Sequence, residues 1–434
     1  MTNRRTFFKQ ASLLGAGSVI GGSILPGCSG GNSRSALPLS TDKQLKIRKV
    51  ETAWITVPFL RSQGLAGGDM ANSTDVVCRI TTDDGIRGIG EARGAHLPDI
   101  CKVIMDEYTP LLMGENPMET HYLWTKLYDA KLAGMSPPNW GPMRPYQAAL
   151  AAVDLALWDI KAKALGLSIC ELLGGKPHPL PVYLCKGFYV EGQSLGEMCE
   201  EAVAEINRFG FKYTKIRVGR YGVDDAIQRI AAFRKALGPD MQIAVDVNQA
   251  FDYDTTLDFL KRAEQYNLLW IEEPLGRTPR GNDVGKPDYD WDIYLGRLAK
   301  HTSTELSSGE NHYTLIDSNS LITNGGIKYM QFDITKNGGL TEWLKVAALC
   351  EANNVLMAPH HVPHFHVMPT AAIANGFIIE YFDNKWHHPA WPHLFDGFPE
   401  VKDGMIACPS GTGWGMEVNE NFLRSHGTLV SWNS

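Results

Sequence analysis

The chain has 434 residues, of which 44% are hydrophobic and 21% are charged, and its formal net charge at pH 7 is −7. This composition is that of a globular protein rather than a disordered one, and the length is enough for two or three domains. The acidic balance and the lack of a basic stripe with interleaved aromatic residues argue against a nucleic-acid partner. Eight cysteines without a Cys-x-x-Cys pair argue against a zinc ribbon or a thioredoxin-like redox site.

Residues 1–28 have the pattern of an export signal. Arg4-Arg5 stand before an apolar run from Ala11 to Leu25, which is typical of a twin-arginine signal. The run is shorter than the roughly 20 residues that a membrane-spanning helix requires. It leads into Pro26-Gly27-Cys28, which resembles the end of a lipobox. We therefore expect an exported protein, either periplasmic or anchored to a membrane by a lipid on Cys28, and residues 29–44 are predicted to be a flexible linker.

A small α+β domain is predicted over residues 45–177. Alternating apolar residues predict strands, and the Asp83-Asp84-Gly85 turn predicts that two of them form a hairpin. Apolar residues at helical spacing predict the helices, of which the last has the clearest apolar face. The predicted strands are Ile47–Val57, Val76–Thr81 and Ile86–Glu91, and the predicted helices are about 98–113, 117–133 and Gln147–Leu165.

Residues 178–392 are predicted to form a (β/α)8 barrel, which is an α/β fold. Short apolar runs alternate with helical segments, as in a parallel sheet with crossover helices, and eight runs are enough to close the sheet. A doubly wound open sheet is the alternative. Residues 393–434 are expected to return and pack on the first domain. The eight runs are Val182–Cys185, Tyr213–Val218, Ile243–Val247, Leu269–Ile271, Glu305–Ser308, Tyr329–Phe332, Val355–Met357 and Phe377–Ile379.

Polar side chains stand at the carboxyl ends of these strands, where barrel active sites are assembled. Any one of them could be a helix cap, but seven consecutive strands that each end in a chemically useful group indicate a site. From strand two to strand eight these groups are Lys215-Ile216-Arg217, Asp246-Val247-Asn248, Glu272-Glu273-Pro274, Gly309-Glu310-Asn311, Asp333, Pro359-His360 and Glu380.

Three carboxylates on adjacent predicted strands, Asp246, Glu272 and Glu310, form a candidate metal site. Hard oxygen ligands with open positions left for water and substrate suit Mg²⁺. Zinc, which prefers nitrogen and sulfur ligands, is the alternative raised by the histidine-rich run 360–366, but no cysteine or helical histidine pair supports it. We therefore predict Mg²⁺ as the cofactor.

These motifs, in this order, resemble the mandelate racemase subgroup of the enolase superfamily. The likeness extends over residues 45–434 and includes a helix ahead of the barrel, Val153-Asp154-Leu155-Ala156-Leu157-Trp158-Asp159. The resemblance implies that the N-terminal domain caps the barrel and that the protein is a homo-oligomer. The implied metal ligands are Asp246, Glu272 and Glu310, the implied acid/base catalyst is His360, oriented by Asp333, and Glu380 would donate a hydrogen bond to the substrate carboxylate if it is protonated.

Arg217 decides which reaction the sequence favours. In the racemase a lysine stands second in this motif and acts as a base opposite the histidine, whereas arginine is seldom a base near neutral pH. A single base on one face of the substrate suits β-elimination of water better than racemisation. Lys215 and Arg217 also supply the positive charge that a developing second negative charge on the substrate requires.

We therefore predict an acid-sugar dehydratase, which removes the α-proton of a sugar-acid carboxylate and eliminates water to give a 2-keto-3-deoxy acid. One alternative is a racemase, epimerase or cycloisomerase with the same metal ligands. Another is a non-catalytic periplasmic sugar-acid binding protein, which would have no need of a histidine with an orienting carboxylate. Substrate choice is assigned to mobile loops at Pro58–Met70 and Ser136–Pro145, and the Gly276–Asp292 insertion is either a substrate-facing loop or part of the rim.

Overall fold

The computed structural model describes residues 44–94, 96–133, 140–277, 290–383 and 388–432, without the side chains of residues 140–143. The predicted export signal with Cys28, almost all of the predicted linker and most of the predicted insertion therefore lie outside the described residues. Within the described ranges, no helix combines the length and the apolar character that are needed to cross a bilayer.

The N-terminal domain is built on an antiparallel sheet. The sheet consists of β1, β2 and β3, together with the C-terminal strand Gly427–Leu429, which pairs with β1. Helices follow β3 in the chain, as the sequence predicted, although the first of them contains a π-helical segment. The elements are β1 (Ile47–Leu65), β2 (Gly68–Thr82), β3 (Arg87–Ala92), α1 (Leu97–Lys102), the π-helical segment Val103–Tyr108, α2 (Thr109–Leu112), α3 (Thr120–Lys131), α4 (Trp140–Leu165) and α5 (Ile169–Leu172).

Helix α4 packs closely on β3 because both surfaces carry small residues. A Cβ atom on Gly88 would lie 2.1 Å from the carbonyl oxygen of Ala156, and one on Gly90 would lie 2.0 Å from that of Ala152. No larger residue fits at either position without moving the helix. The helix is therefore buried against the sheet at Ala152 and Ala156.

The segment Pro58–Met70, predicted to be a mobile loop, is instead the far end of a long hairpin. β1 continues to Leu65 and β2 begins at Gly68, so only two residues form the turn. Gly64 and Tyr189 exchange two backbone hydrogen bonds of 2.6 and 2.9 Å, which join the hairpin to the barrel. The glycines that suggested mobility therefore lie in or beside a turn that tertiary contacts hold in place.

Eight parallel strands, all within the described residues, form the predicted barrel. Each strand from β4 to β9 pairs with the next, and β11 pairs with β4. Between β10 and β11, Met357 accepts a hydrogen bond from Phe377 and donates one to Asn375, so the sheet closes and is not an open doubly wound sheet. The strands are β4 (Leu180–Lys186), β5 (Tyr213–Arg217), β6 (Gln242–Asp246), β7 (Ile271–Glu272), β8 (Leu306–Ser308), β9 (Ile327–Met330), β10 (Leu356–Met357) and β11 (Ile379–Tyr381).

Helices surround the barrel and return the chain from each strand to the next. Local signals set their ends: Ser194 caps the first of them in a capping box with Glu197, and Gly210 ends it in the left-handed conformation. The helices are α6 (Leu195–Phe209), α7 (Val223–Leu237), α8 (Tyr253–Ala263, followed by the 3-10 helix Glu264–Tyr266), α9 (Trp291–Ala299), α10 (Leu315–Asn324), α11 (Gly339–Ala352) and α12 (Pro363–Ala372).

The C-terminal segment contacts both domains. Its hairpin, formed by strands Val401–Lys402 and Met405–Ile406, pairs with the start of β4 at the amino end of the barrel. Further along, Trp414 donates its indole N–H to the carbonyl of Leu155 in α4, at 3.1 Å. The remaining elements of this segment are the helices Trp391–Leu394 and Glu420–His426 and the paired strands Phe395–Asp396 and Glu417–Val418.

Two acids of the helix motif that precedes the barrel act as structural junctions. Asp154 accepts hydrogen bonds from the backbone N–H and the hydroxyl of Thr341 in α11, at 2.8 and 2.7 Å. Asp159 accepts from the backbone N–H groups of Ile89 and Trp414, both at 2.9 Å. These two carboxylates tie α4 to the barrel, to the N-terminal sheet and to the C-terminal segment, so they fix how the domains meet around the barrel mouth.

Candidate active site

The structure brings the three predicted metal ligands together at the carboxyl end of the barrel. Asp246 ends β6 and Glu272 ends β7, and the two are direct neighbours in the parallel register. Glu310 lies just beyond β8. One oxygen from each lies within 4.8 Å of the others, close to the separation of about 3–4 Å that octahedral Mg²⁺ imposes on its ligands. Beside them the side-chain oxygen of Asn248 is buried, with no hydrogen-bond partner among the described residues, so the donor set fits a hard divalent cation.

Lys215 and Arg217 lie next to these carboxylates but at different depths. Lys215 is fully buried, and its ammonium is 2.8 Å from Glu272 and 2.7 Å from Glu380. Burial lowers the pKa of Lys215, but Glu272 and Glu380 outweigh burial and hold it well above the ordinary value. Arg217 forms an ion pair with Asp246 and lines the cavity described below, which Lys215 does not. Lys215 is therefore a fixed charge beneath the site, and of these two residues Arg217 is the one that faces the cavity.

Glu380 does not match the expectation of a protonated donor. It accepts hydrogen bonds from the thiol of Cys185, at 2.9 Å, and from the backbone N–H of His361. Burial raises its pKa, but Lys215, followed by His360 and Arg217, brings it down to about 2. An ionised carboxylate cannot donate to a substrate carboxylate, so the donor role, which is conditional on a protonated Glu380, stays a prediction that this ionisation does not support.

His360 and Asp333 form the predicted histidine–carboxylate pair. Nδ1 of His360 is 2.8 Å from Oδ2 of Asp333, and Nε2 of His360 is 3.1 Å from Oε2 of Glu310. Burial lowers the pKa of His360, but Glu310 and the hydrogen bond with Asp333 outweigh burial and raise it above the ordinary value. Because Asp333 is ionised, Nδ1 carries the proton, and Nε2 presents a lone pair toward the carboxylate cluster when the ring is neutral.

The charges of these groups do not balance. Five carboxylates stand against three cations, so with His360 neutral the site has an excess of two negative charges, which one divalent cation would neutralise. A sixth acid, Glu273, is only partly ionised near pH 7, because burial and Glu310 raise its pKa to about 7, and it adds to the negative excess. The carboxylates are Asp246, Glu272, Glu310, Asp333 and Glu380, and the cations are Lys215, Arg217 and Lys336.

A cavity of about 280 Å³ opens between the barrel mouth and the N-terminal domain, and a second cavity of about 390 Å³ adjoins it. They share Arg93, Gly94 and Lys336, so together they form one space, and Glu310 of the metal site lies in the wall of the first cavity. The first is lined by Phe59, Leu65, Met70, Asn72, Thr74, Arg217, Asn248, Glu310, His360, His361, Phe382 and His388 in addition to the shared residues, and the second by His96, Ile100, Arg144, Pro145, Asn311 and Tyr313.

Sequence reasoning missed several residues of this space. Lys336, which donates to the backbone carbonyl of Glu310 at 3.0 Å, stands three positions after Asp333, and that spacing was its only signal. Arg93 and His388 come from the N-terminal domain and from the segment after β11, far from any strand-end motif. Both predicted specificity loops contribute to this space. The hairpin provides Leu65 and Met70, and α4 provides Arg144 and Pro145. Residues 134–139 are not among the described residues.

Comparisons with known proteins agree with this architecture. Residues 47–174 match the mandelate racemase/muconate lactonizing enzyme N-terminal domain, and residues 197–422 match the enolase C-terminal domain-like family. The chain is 25% identical to an arabinonate dehydratase of Saccharolobus solfataricus, over 81% of this chain and 90% of that protein. It is 28% identical to a D-galactarolactone cycloisomerase of Agrobacterium fabrum, over 80% of this chain and 90% of that protein.

Among solved structures, the fold is similar to an L-talarate/galactarate dehydratase of Salmonella typhimurium liganded with Mg and L-lyxarohydroxamate. That likeness has a TM-score of 0.77 and 25% sequence identity, and it covers 91% of this chain and 96% of the other. Both domains, the closed barrel and the carboxylate cluster at its mouth therefore lead to one assignment. The chain belongs to the mandelate racemase/muconate lactonizing enzyme family of the enolase superfamily.

Proposed function

We propose that the protein is a Mg²⁺-dependent acid-sugar dehydratase, a carbon–oxygen lyase that converts a 2,3-dihydroxy acid into a 2-keto-3-deoxy acid. The observation that carries the proposal is the placement of one oriented imidazole, His360, beside the three-carboxylate cluster, with Arg217 rather than a lysine in the cavity wall. Relatives that are dehydratases support the same reaction class.

The metal would be held by Asp246, Glu272 and Glu310. When bound, Mg²⁺ supplies a Lewis acid that polarises the substrate carboxylate and offsets the charge that develops on it. Arg217 and Lys336 line the same cavity and bring fixed positive charge to that end of the substrate. The adjoining cavity leaves room for the hydroxylated carbon chain, which fits a sugar acid rather than a two- or three-carbon acid.

His360 performs both proton transfers in this proposal. Its Nε2 lone pair accepts the α-proton of the acid, and the resulting imidazolium is stabilised by Asp333 at Nδ1. The same Nε2 then donates its proton to the hydroxyl at C3, whose C–O bond breaks to release water. The enol that remains takes up a proton at C3 and releases the proton of its C2 hydroxyl, which gives the 2-keto-3-deoxy acid, so one water is lost for each substrate consumed.

A second candidate is a cycloisomerase, which also begins with removal of an α-proton. It is supported by the similarity to a D-galactarolactone cycloisomerase. The two reactions differ in mass balance, because the dehydratase product is lighter than its substrate by one water and the cycloisomerase product has the mass of its substrate.

The test is incubation of the Mg²⁺-loaded protein with aldonates, aldarates and their lactones, followed by mass spectrometry and by detection of 2-keto acids as semicarbazones. A 2-keto-3-deoxy product supports the dehydratase, and a product of unchanged mass supports the cycloisomerase. His360→Asn should lose most turnover and keep metal binding. The matched control is His178→Asn, since His178 is an exposed histidine outside the cavity. Turnover of no acid in the library, or full activity in His360→Asn, would reject the proposal.

We also propose that the protein is exported through its twin-arginine signal and works outside the cytoplasm. The pattern at Arg4-Arg5 and the run to Cys28 support this. Replacing Arg4-Arg5 by two lysines should retain the protein in the cytoplasmic fraction. Labelling with a fatty-acid analogue, with Cys28→Ala as control, tests the lipid anchor, and an unlabelled wild-type chain would leave a plain export signal.

A further inference from the structure

A chain of hydrogen bonds runs from the wall of the cavity into the N-terminal domain. Nε2 of His361 is 2.7 Å from Nε2 of His388, and Nδ1 of His388 is 2.9 Å from the hydroxyl of Ser73. The hydroxyl of Ser73 is in turn 3.2 Å from Oδ2 of Asp75. All four side chains are buried. They come from three distant parts of the chain, since Ser73 and Asp75 lie on β2, His361 follows β10 and His388 follows β11.

Asp75, at the end away from the cavity, determines which group donates in each of these hydrogen bonds. Oδ1 of Asp75 accepts from Arg93, at 2.7 Å, and from the indole N–H of Trp391, at 3.2 Å, and both groups can only donate. Burial raises the pKa of Asp75 to about 6, so at pH 7.5 the group is mostly a carboxylate. The hydroxyl of Ser73 therefore donates its single hydrogen to Asp75 and can only accept from His388.

The direction then passes along the two imidazoles. Because Ser73 accepts, Nδ1 of His388 carries a hydrogen and its Nε2 is a lone pair when that ring is neutral. With His388 neutral, Nε2 of His361 carries the hydrogen that the two rings share. Burial lowers the pKa of His361 well below its ordinary value, so this ring is neutral as well, and its Nδ1 is left without a hydrogen.

His361, which carries this Nδ1, belongs to the wall of the cavity. The residue lines the cavity with His360 and Glu310, and its ring stacks on that of His360 with centroids 5.0 Å apart. None of the described residues hydrogen-bonds to this Nδ1. The atom is also absent from the buried polar atoms that lack a partner, so it is accessible rather than sealed inside the protein. The backbone holds the ring there in an unfavourable conformation, since φ is 62° at His361 and 28° at the β-branched Val362.

We propose that His361 is a specificity-determining residue, whose unprotonated Nδ1 accepts a hydrogen bond from a hydroxyl of the substrate. In this proposal His388 and Ser73 are positioning residues, which act on the substrate only by fixing the tautomer of His361. A lone pair in this wall favours a polyol carbon chain, because each hydroxyl brings a hydrogen to donate. It disfavours a carboxylate or a carbonyl at the same place, because neither has one. The choice of a hydroxylated ligand rests on the proposed function, whereas the tautomer does not.

The tautomer can be measured without any substrate. In protein labelled with ¹⁵N-histidine, the two-bond ¹⁵N–¹H spectrum distinguishes protonated from unprotonated ring nitrogens, and the signals of His361 are assigned from their loss in His361→Gln. We expect a neutral ring with hydrogen on Nε2 and none on Nδ1. Ser73→Ala should shift this pattern toward a mixture of tautomers, and His178→Asn should leave it unchanged. Hydrogen on Nδ1 of His361 overturns the proposal. That result is expected if the hydrogen bonds donate in the opposite direction, from Asp75 through Ser73 and His388 to His361.

The hydroxyl contact is measured by comparing the turned-over sugar acid with analogues that each lack one hydroxyl beyond C3. Leaving this acceptor without its donor when the analogue covers it should lower kcat/KM about 10- to 100-fold for one of these analogues. In His361→Leu that difference between substrate and analogue should vanish, and Ser73→Ala should raise KM more than it lowers kcat. Equal discrimination in wild type and His361→Leu overturns the contact. If no sugar acid is turned over, the proposed function fails, and the ¹⁵N spectrum still decides the tautomer.

Discussion

Replacing Asp333 by asparagine tests whether this carboxylate fixes the tautomer of His360. Oδ1 of Asp333 accepts from the backbone N–H of Thr335, at 2.8 Å, and from that of Lys336, at 3.2 Å, and also contacts the Thr335 hydroxyl. Because the two backbone groups can only donate, the asparagine must place its oxygen there and turn its NH₂ group toward His360. The NH₂ group donates to Nδ1, so the ring hydrogen moves to Nε2 and blocks the atom that should accept the α-proton.

The size of the effect follows from the step that is lost. A positioned general base contributes about 10²- to 10⁴-fold to rate, and each tenfold corresponds to about 1.4 kcal/mol, so the barrier should rise by about 3–5 kcal/mol. The matching change in a Ser-His-Asp triad lowers kcat about 10⁴-fold by the same error of tautomer. KM should change little because Asp333 is fully buried behind His360. The unfolding free energy should fall by about 1–3 kcal/mol, the value of one charge-assisted hydrogen bond.

The assay is steady-state turnover of the acid identified by screening, together with urea unfolding of the same variants. Thr335→Val is the control, since it removes one neutral hydrogen bond to Asp333 and leaves the carboxylate on His360, and its kcat should stay within about tenfold of wild type. Asp333 raises the pKa of His360, and only the unprotonated ring is a base, so the acidic limb of kcat/KM in Asp333→Asn should move to lower pH. A variant that keeps kcat within about threefold of wild type would show that the orientation of His360 is not what drives the reaction.

Three further outcomes are expected at the same site. Mg²⁺ at 100 times its dissociation constant should raise the unfolding free energy by about 2.7 kcal/mol, which is measured as a higher Tm. Glu310→Gln should not show this rise in Tm. An equal rise in that variant would contradict the assigned ligand set. Arg217→Lys puts an ionisable amine, and so a second possible base, into the cavity wall. Substrate recovered from this variant should have exchanged its α-proton with D₂O and lost its configuration, as measured by NMR and chiral chromatography. Unexchanged substrate would argue against Arg217 as the residue that excludes racemisation. Arg144→Gln should raise KM about tenfold for any diacid substrate, since it removes a cation from the adjoining cavity, and an equal rise for aldonates would count against a charge effect.

The strand-end residues could be predicted because parallel barrels place chemistry where the pattern is easiest to read. Each barrel strand is a short apolar run, and the first polar residue after it lies at the carboxyl end by the geometry of the fold. Asp246 and Glu272 are one register step apart for that reason. The same rule gave the pairing of His360 with Asp333, since neighbouring strands bring their ends together.

The hairpin and the state of Glu380 could not be predicted, because both depend on contacts made across the fold. Residues 58–70 contain three glycines, which locally favour a loop. The extended strands persist through the backbone pairing of Gly64 with Tyr189 and the ion pair of Asp69 with Arg220. The ionisation of Glu380 depends on how close a buried lysine lies, and no sequence pattern gives that distance.

Lys215 shows why few substitutions can be accepted at the barrel end, where buried carboxylates need a buried cation beside them. Three carboxylates within 4.8 Å repel one another, and burying them adds a desolvation cost. Lys215, at 2.8 Å from Glu272 and 2.7 Å from Glu380, offsets part of both costs. Without it, the buried acids would be protonated or the barrel end would rearrange, so the charges that prepare the metal site also stabilise the fold there.

The hairpin and the segment after β11 do not take part in offsetting the charge of the buried carboxylates. They contribute Leu65, Met70 and His388 to the cavity through surfaces that the barrel's charges do not dictate. We expect changes there to alter which substrate fits and to leave the metal site unchanged, whereas changes at the strand ends should disturb fold and chemistry together. This division is consistent with relatives of similar identity that are named for different substrates and for two reactions, dehydration and cycloisomerisation. It places the determinants of substrate choice in the residues that the strand-end motifs did not reveal.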